Sequence, residues 1–343
     1  MIVLYVIFYI LAVALEHSRS KNRHFMLLVA CVVLAFCAGF RDVMRWADTI
    51  VYVISFNDYT HGLSEWSDKD VPFGYAEYGF YFLGVIFKTF SSNSTLYLLF
   101  IAILSFIFLY KDFRRYCVYP LFGLCTYIAR FYLTRNLMQI RAGLSYALIL
   151  WGVQYITKRD WKRYFFWVFV AYLFHRSAII AVPLYFLCIL KPNKLLIVVG
   201  ILIAFLIGGP GKGMVMSFVG DNAQDLTVTT YATKDYQSEL GLMNPMIYFQ
   251  LFFLWIYTMW EDKFKVLTAD YYTIRTAYWY STFILIALSA YTALSGRTSS
   301  MFSTLEMAII PMIVNTFSKH NRILAYIGLG VGLSIIFYMN IPR

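Results

Sequence analysis

Long apolar runs broken by single arginines constrain this chain more than any other feature. The runs lie near 1–15, 25–40, 76–90, 96–110, 116–133, 142–157, 164–190, 195–209, 246–260, 277–295, 300–317 and 323–340. They are continuous rather than alternating, which excludes a membrane β-barrel. With 61% hydrophobic residues and only 14% charged ones, the chain does not read as a soluble domain. The expected fold class is an all-α polytopic integral membrane protein. A full span takes about 20 residues, so the shorter runs imply roughly ten to twelve membrane segments, some tilted, broken or re-entrant. No internal repeat and no separate soluble domain is evident, so residues 1–343 are expected to form a single transmembrane domain. The first run, Ile2 to Leu15, lacks a basic leader and a small-residue cleavage site, and is read as a retained helix.

The net charge of +11 does not point to nucleic acid, because most of the excess sits in short loops. Arg19, Lys21 and Arg23 form one such loop, Lys111, Arg114 and Arg115 another, and Lys158, Arg159, Lys162 and Arg163 a third. Placing these on the cytoplasmic side puts the longer loops, near 41–75 and 210–245, outside. That topology asks for a re-entrant segment within 76–110 and another within 164–190, with a break near His175-Arg176. The five cysteines form no CxxC or Cys/His pattern and read as small hydrophobic residues. HExxH, GxSxG, Walker and GxGxxG motifs are absent, which argues against a zinc protease, a serine hydrolase, an ATPase and a Rossmann enzyme.

A charge at membrane depth is costly and marks a cavity, a partner or a substrate. Planar guanidinium groups suit bidentate binding of phosphate oxygens. Arg41 and Arg45 leave the second run beside Asp42 and Asp48, with Tyr52 one turn further on. They read as phosphate ligands with an orienting acid or base, or as interfacial anchors. Glu77 starts an apolar run and reads as a general base, or as a carboxylate complementing a helix dipole. The stretch from Arg130 through Arg135, Gln139 and Arg141 to Ser145 is the strongest motif, expected as an outward gap followed by the start of a helix. Arg135, Gln139 and Gly143 would share one face there, and a helix N-terminus adds N–H groups for phosphate. His175, beside Arg176 within an apolar run, reads as a proton donor to a leaving phosphate or as an acceptor from a sugar hydroxyl. Arg297, expected in a turn with Gly296 at the start of a helix that also carries Glu306, reads as an anion clamp. Glu306 itself fits a carboxylate paired with a buried arginine. Asp68-Lys-Asp70 is a DxD triplet, but such triplets are common in polar loops, and no metal site or cofactor is expected.

Taken in order, Gly39-Phe-Arg41, Asp48, Tyr52, Glu77-Tyr-Gly, Arg135, Arg141, Phe174-His175-Arg-Ser-Ala, Gly296-Arg297, Glu306 and Pro311 resemble the EpsG-type, Wzy-like polysaccharide polymerases over nearly the whole chain. The resemblance implies a GT-C-like membrane glycosyltransferase in the bacterial inner membrane. Such an enzyme joins undecaprenyl-pyrophosphate-linked oligosaccharide units at the outer face. It transfers the growing glycan to the non-reducing end of an incoming unit, with inversion and without a metal. Donor and acceptor are then both lipid-linked, and the further partners are membrane lipids, a Wzz-like chain-length regulator and a flippase. On that reading Arg135 and Arg141, then Arg41, Arg176 and Arg297, bind pyrophosphate, and His175, Asp48 and Glu77 are the acid–base candidates. Two rival functions share the pattern: an O-antigen ligase, and a flippase or transporter of the same lipid.

Overall fold

The computed structural model describes residues 2–18, 22–65, 77–214, 217 and 240–341. Every regular element among them is helical. In chain order the α-helices are α1 (Ile2–His17), α2 (Arg23–Gly39), α3 (Ala47–Asp58), α4 (Tyr78–Phe90), α5 (Ser94–Tyr116), α6 (Pro120–Tyr127), α7 (Ile140–Thr157) and α8 (Trp161–Phe174). They continue as α9 (Val182–Leu190), α10 (Lys194–Gly208), α11 (Pro245–Met259), α12 (Glu261–Phe264), α13 (Tyr271–Ala287), α14 (Thr292–Ser303), α15 (Glu306–Met312) and α16 (Arg322–Asn340). Local sequence explains several starts. Asn93 accepts from the amides of Thr95 and Leu96 to cap α5, and Asn193 accepts from Leu196 to cap α10. Proline stands at the first turn of α6 and α11, where its missing N–H costs no helical bond.

Among the described residues, two helices are long and apolar enough to cross a membrane. They are Ser94–Tyr116 and Arg322–Asn340, with mean hydropathy 1.9 and 1.8. Seven shorter apolar helices accompany them. Apolar side chains point outward along whole faces: Leu4 and Ile10 on α1, Leu195 and Leu202 on α10, and Ile323, Leu324 and Ile327 on α16 are exposed. Buried positions, by contrast, include Arg135, Asp112, Glu306 and Arg275. Apolar outside and polar inside is the arrangement that a lipid solvent favours.

Two compact units divide the chain, one made of 1–155, 160–179 and 306–343 and the other of 156–159 and 180–305. In the first, α6 continues without interruption into a π-helical stretch, Ile128–Met138. The expected gap between Arg130 and Arg141 is therefore a helix up to Met138, and α7 begins only at Ile140. Arg135 does not share a helical face with Gly143, because the wide turn ends between them, closed by the Gln139 amide on the Thr134 carbonyl (2.7 Å), whereas the Gly143 amide bonds to the Gln139 carbonyl (2.8 Å) one turn back. Arg130 is tolerated inside the helix because it pairs with Glu306 at 2.7 Å, with the two side chains 9% and 0% exposed. Donors from other helices reach the wide backbone: Asn340 donates to the Ala129 carbonyl (2.9 Å) and Thr49 to that of Leu137 (2.8 Å). At Gly143 a Cβ atom would stand 2.4 Å from the Arg135 carbonyl oxygen, so glycine is what lets α7 fold back beside the π-helical stretch.

The second unit is built around α13, most of whose residues are buried. Arg275 joins Glu261 (2.7 Å) and the Pro192 carbonyl (2.7 Å), and Trp279 donates to the Ile197 carbonyl (3.1 Å). Gly296 and Arg297, expected in a turn, lie inside α14. The polar stretch stays helical because its hydroxyls bond back along it: Thr298 reaches the Leu294 carbonyl (2.6 Å) and Thr304 that of Ser300 (2.9 Å). The break falls after Ser303, so Glu306 opens a separate helix instead of sharing one with Arg297. The break expected near His175-Arg176 is present: α8 ends at Phe174 and a 3-10 turn covers Arg176–Ala181. Of the expected long loops, 47–58 is helical, while 66–76 and 218–239, with the Asp68-Lys-Asp70 triplet, lie outside the described residues.

The buried pair between α15 and the π-helical stretch yields a direct test. Glu306→Gln leaves the Arg130 charge buried without its counter-ion and is expected to destabilise the protein by about 3–5 kcal/mol. A lowered melting temperature of the detergent-purified protein reads this out. Replacing Arg130 and Glu306 together by methionine should recover most of the loss, and a double variant as unstable as the single one would contradict this account.

Candidate functional site

Polar side chains from four helices of the first unit converge near the start of α7. Arg141 lies in the first turn of α7, and its guanidinium is ion-paired to the Glu77 carboxylate. Glu77 occupies the N-cap position of α4, yet its side chain makes no capping bond there. It turns to Arg141 instead, and the two side chains are 16% and 11% exposed, dry enough for the pair to be firm. The same guanidinium sits 5.5 Å from the ring centre of Tyr52, a buried residue of α3. Asp48 stands one turn before Tyr52 on α3, half-buried, and so faces the same side of that helix. Below Glu77 and Arg141 a recess of about 20 Å³, lined also by Ser55, Thr60, Tyr81 and Tyr97, has room for about one water molecule.

A second set of contacts runs beside the first. Arg135, 5% exposed, lies with its guanidinium carbon 4.2 Å from the ring centre of Tyr146. The Tyr146 hydroxyl meets Ser177 Oγ (3.0 Å), and Ser177 Oγ meets His175 Nδ1 (2.6 Å). The Ser177 amide also donates to Nδ1 (3.3 Å). An amide is only a donor, so Nδ1 accepts, and the proton of the neutral imidazole sits on Nε2. The helix break puts the ring there: α8 ends at Phe174 and His175 is extended. The two sets are neighbours, because α4 and α8 approach so closely that a Cβ at Gly79 would stand 2.7 Å from Leu173 Cβ, and Glu77 and His175 lie two residues from that contact.

Arg41 is buried near these residues and held by Thr49. Its Nε donates to Thr49 Oγ1 (3.1 Å), its Nη1 to the Ala38 carbonyl, and Thr49 in turn donates to the Leu137 carbonyl. Arg45 and Arg176 are exposed. Arg297 belongs to the second unit, half-buried in α14. The structure thus joins Glu77 with Arg141, sets Asp48 a turn from Tyr52, and links Arg135 to His175 through Tyr146 and Ser177. Tyr146 and Ser177 were not singled out from sequence. Ser177 carried a faint signal, following His175-Arg176, while Tyr146 carried none beyond being one more aromatic residue. Among the described residues no three His, Cys, Asp or Glu side chains gather as a metal centre would need.

An all-helical protein with paired arginines and a histidine at one helix break is the class that fold and site define. The match to the EpsG family extends over residues 24–342, and the chain belongs to that family. It is also 21% identical over 322 residues to the amylovoran biosynthesis protein AmsC of Erwinia amylovora, an alignment covering 90% of this chain and 84% of that protein. No solved structure matches the chain.

The Glu77–Arg141 contact can be isolated in a double-mutant cycle. Glu77→Gln and Arg141→Gln are each expected to lower thermal stability, and the double variant to lower it by less than their sum, leaving a coupling of about 0.5–3 kcal/mol. Additive losses in the melting curves would mean that the two side chains do not act as a pair.

Proposed function

We propose that the protein is a polysaccharide polymerase of the Wzy type. On this reading it is a multi-pass protein of the bacterial inner membrane with GT-C-like architecture. It joins undecaprenyl-pyrophosphate-linked oligosaccharide units and transfers the growing glycan to the non-reducing end of an incoming unit. The observation that carries this reading is family membership over residues 24–342, and the likeness to a protein of amylovoran biosynthesis supports it.

The geometry suits that chemistry. An acceptor hydroxyl oxygen attacks the donor's anomeric carbon while the bond from that carbon to the pyrophosphate oxygen breaks, inverting the centre. Negative charge grows on the leaving oxygen, and preorganised cations lower its energy most when they are dry and fixed. Arg141, held by Glu77 and Tyr52, and Arg135, laid on Tyr146, would supply them without a metal. His175, protonated at Nε2, would donate to the leaving group or hold the acceptor sugar. Asp48 is then the candidate to receive the hydroxyl proton, since the Glu77 carboxylate is committed to Arg141. Arg176, exposed in the turn after His175, would serve as a further anion contact. A chain-length regulator and a flippase would act with it.

Purified protein given its own lipid-linked repeat unit is expected to form a ladder of products on a gel, with EDTA present or absent. Arg141→Gln should reduce ladder formation by about 100-fold or more at equal expression, the size seen when one fixed donor to a developing anion is removed. Substrate that remains a single unit in the presence of folded wild-type protein would overturn the polymerase reading.

A further inference from the structure

We propose that an apolar groove between α1, α2 and the π-helical stretch holds the polyisoprenoid chain of a lipid pyrophosphate, with Arg41 receiving its phosphate end. The inference rests on the function proposed above and locates the lipid part of that substrate.

The groove has a volume of about 590 Å³, within the range of ligand sites. One side is a stripe of α2, where Met26, Ala30, Val33 and Cys37 recur at three- and four-residue spacing. Phe8 of α1 and Tyr132 of the π-helical stretch face it. A single trough along one helix face fits one chain. From Met26 to Cys37 it runs about 16 Å, at 1.5 Å per residue.

Its charged end is what separates it from an ordinary lipid-facing seam. Beyond the C-terminus of α2 the lining changes to Arg41, Asp42, Arg45 and Trp46. Arg41 is only 8% exposed. Two of its nitrogens are engaged by Thr49 and Ala38, but Nη2 is buried with no hydrogen-bond partner. A buried guanidinium N–H left unmatched is costly, and a phosphate oxygen is the acceptor that matches both its charge and its planar geometry. Arg45 adds a second, exposed cation. Asp42 is the one anion in the lining, and its carboxylate is turned to the Met44 amide (3.0 Å). The lining is thus apolar along its length and cationic at one end, the complement of a lipid pyrophosphate.

Cys37 provides a readout in the unaltered protein. It is exposed in the groove, whereas Cys31, Cys117, Cys125 and Cys188 are buried. The full chain would be placed in phosphatidylcholine nanodiscs, and alkylation of Cys37 by N-ethylmaleimide followed by mass spectrometry. Undecaprenyl pyrophosphate at ten times its dissociation constant is expected to slow the reaction about tenfold. Equal amounts of phosphatidylglycerol or of inorganic pyrophosphate should leave the rate unchanged. Arg45→Gln, on an exposed residue, should raise the lipid concentration for half-protection about fivefold, and Arg41→Gln by more, provided its melting curve is kept. Equal protection by phosphatidylglycerol, or protection by neither lipid, would overturn the proposal. Protection needs no turnover. A protected Cys37 without product ladders would count against the polymerase alone, and ladders with an unprotected Cys37 against the groove alone.

Discussion

A guanidinium buried among apolar helices must find a counter-charge or a set of acceptors, and in the first unit those pairings hold the rest in place. The Arg130–Glu306 pair joins the π-helical stretch to α15 with one partner fully buried. The penalty for leaving either charge alone exceeds any single apolar contact nearby, so the register of the π-helical stretch is tied to α15. A helix that widens by one residue per turn also leaves backbone groups poorly matched, and here Asn340 and Thr49 supply the missing donors. The wide turn then ends at Gln139, and α7 starts in a direction that brings Arg141 to Glu77.

Helix α3 couples the groove to the polar cluster. Thr49, on its first turn, receives the Arg41 guanidinium and donates to Leu137, which lies two residues after Arg135. Tyr52, less than a turn later, carries its ring beneath Arg141. A ligand phosphate that pulled on Arg41 would therefore load the same helix that backs Arg141. Two arginines from separate chain segments, Arg41 and Arg141, are thus held by one short helix, which fixes positive charge in a dry setting where side-chain motion would otherwise blur it.

The helical class was legible from the runs themselves, because only helices make continuous apolar stretches of that length. The break at His175 was legible too, since the charge pattern of the loops asked the run 164–190 to enter and return. Glu306 was expected to meet a buried arginine and does; what could not be read was which residues pair over distance. Glu77 and Arg141 are 64 residues apart and Arg130 and Glu306 are 176 apart, and no local pattern links them. The same gap explains two errors. Arginine-rich 130–141 looks like a loop until Glu306 is known to receive Arg130. Gly296-Arg297 looks like a turn until the neighbouring hydroxyls are seen bonding back along α14.

The state of His175 depends on this long-range order. From sequence it was open to either proton role, as any imidazole is. The extended backbone at the end of α8 brings the Ser177 amide onto Nδ1, and Tyr146 from α7 backs the same serine. That chain of contacts favours the tautomer in which Nδ1 accepts and Nε2 carries the proton. A donor next to fixed arginines is suited to an anionic leaving group, where it adds to their field, and poorly suited to deprotonating a hydroxyl. If the site works as proposed, its acid–base division would follow from which nitrogen the helix break occupies, a matter of backbone geometry and not of residue type.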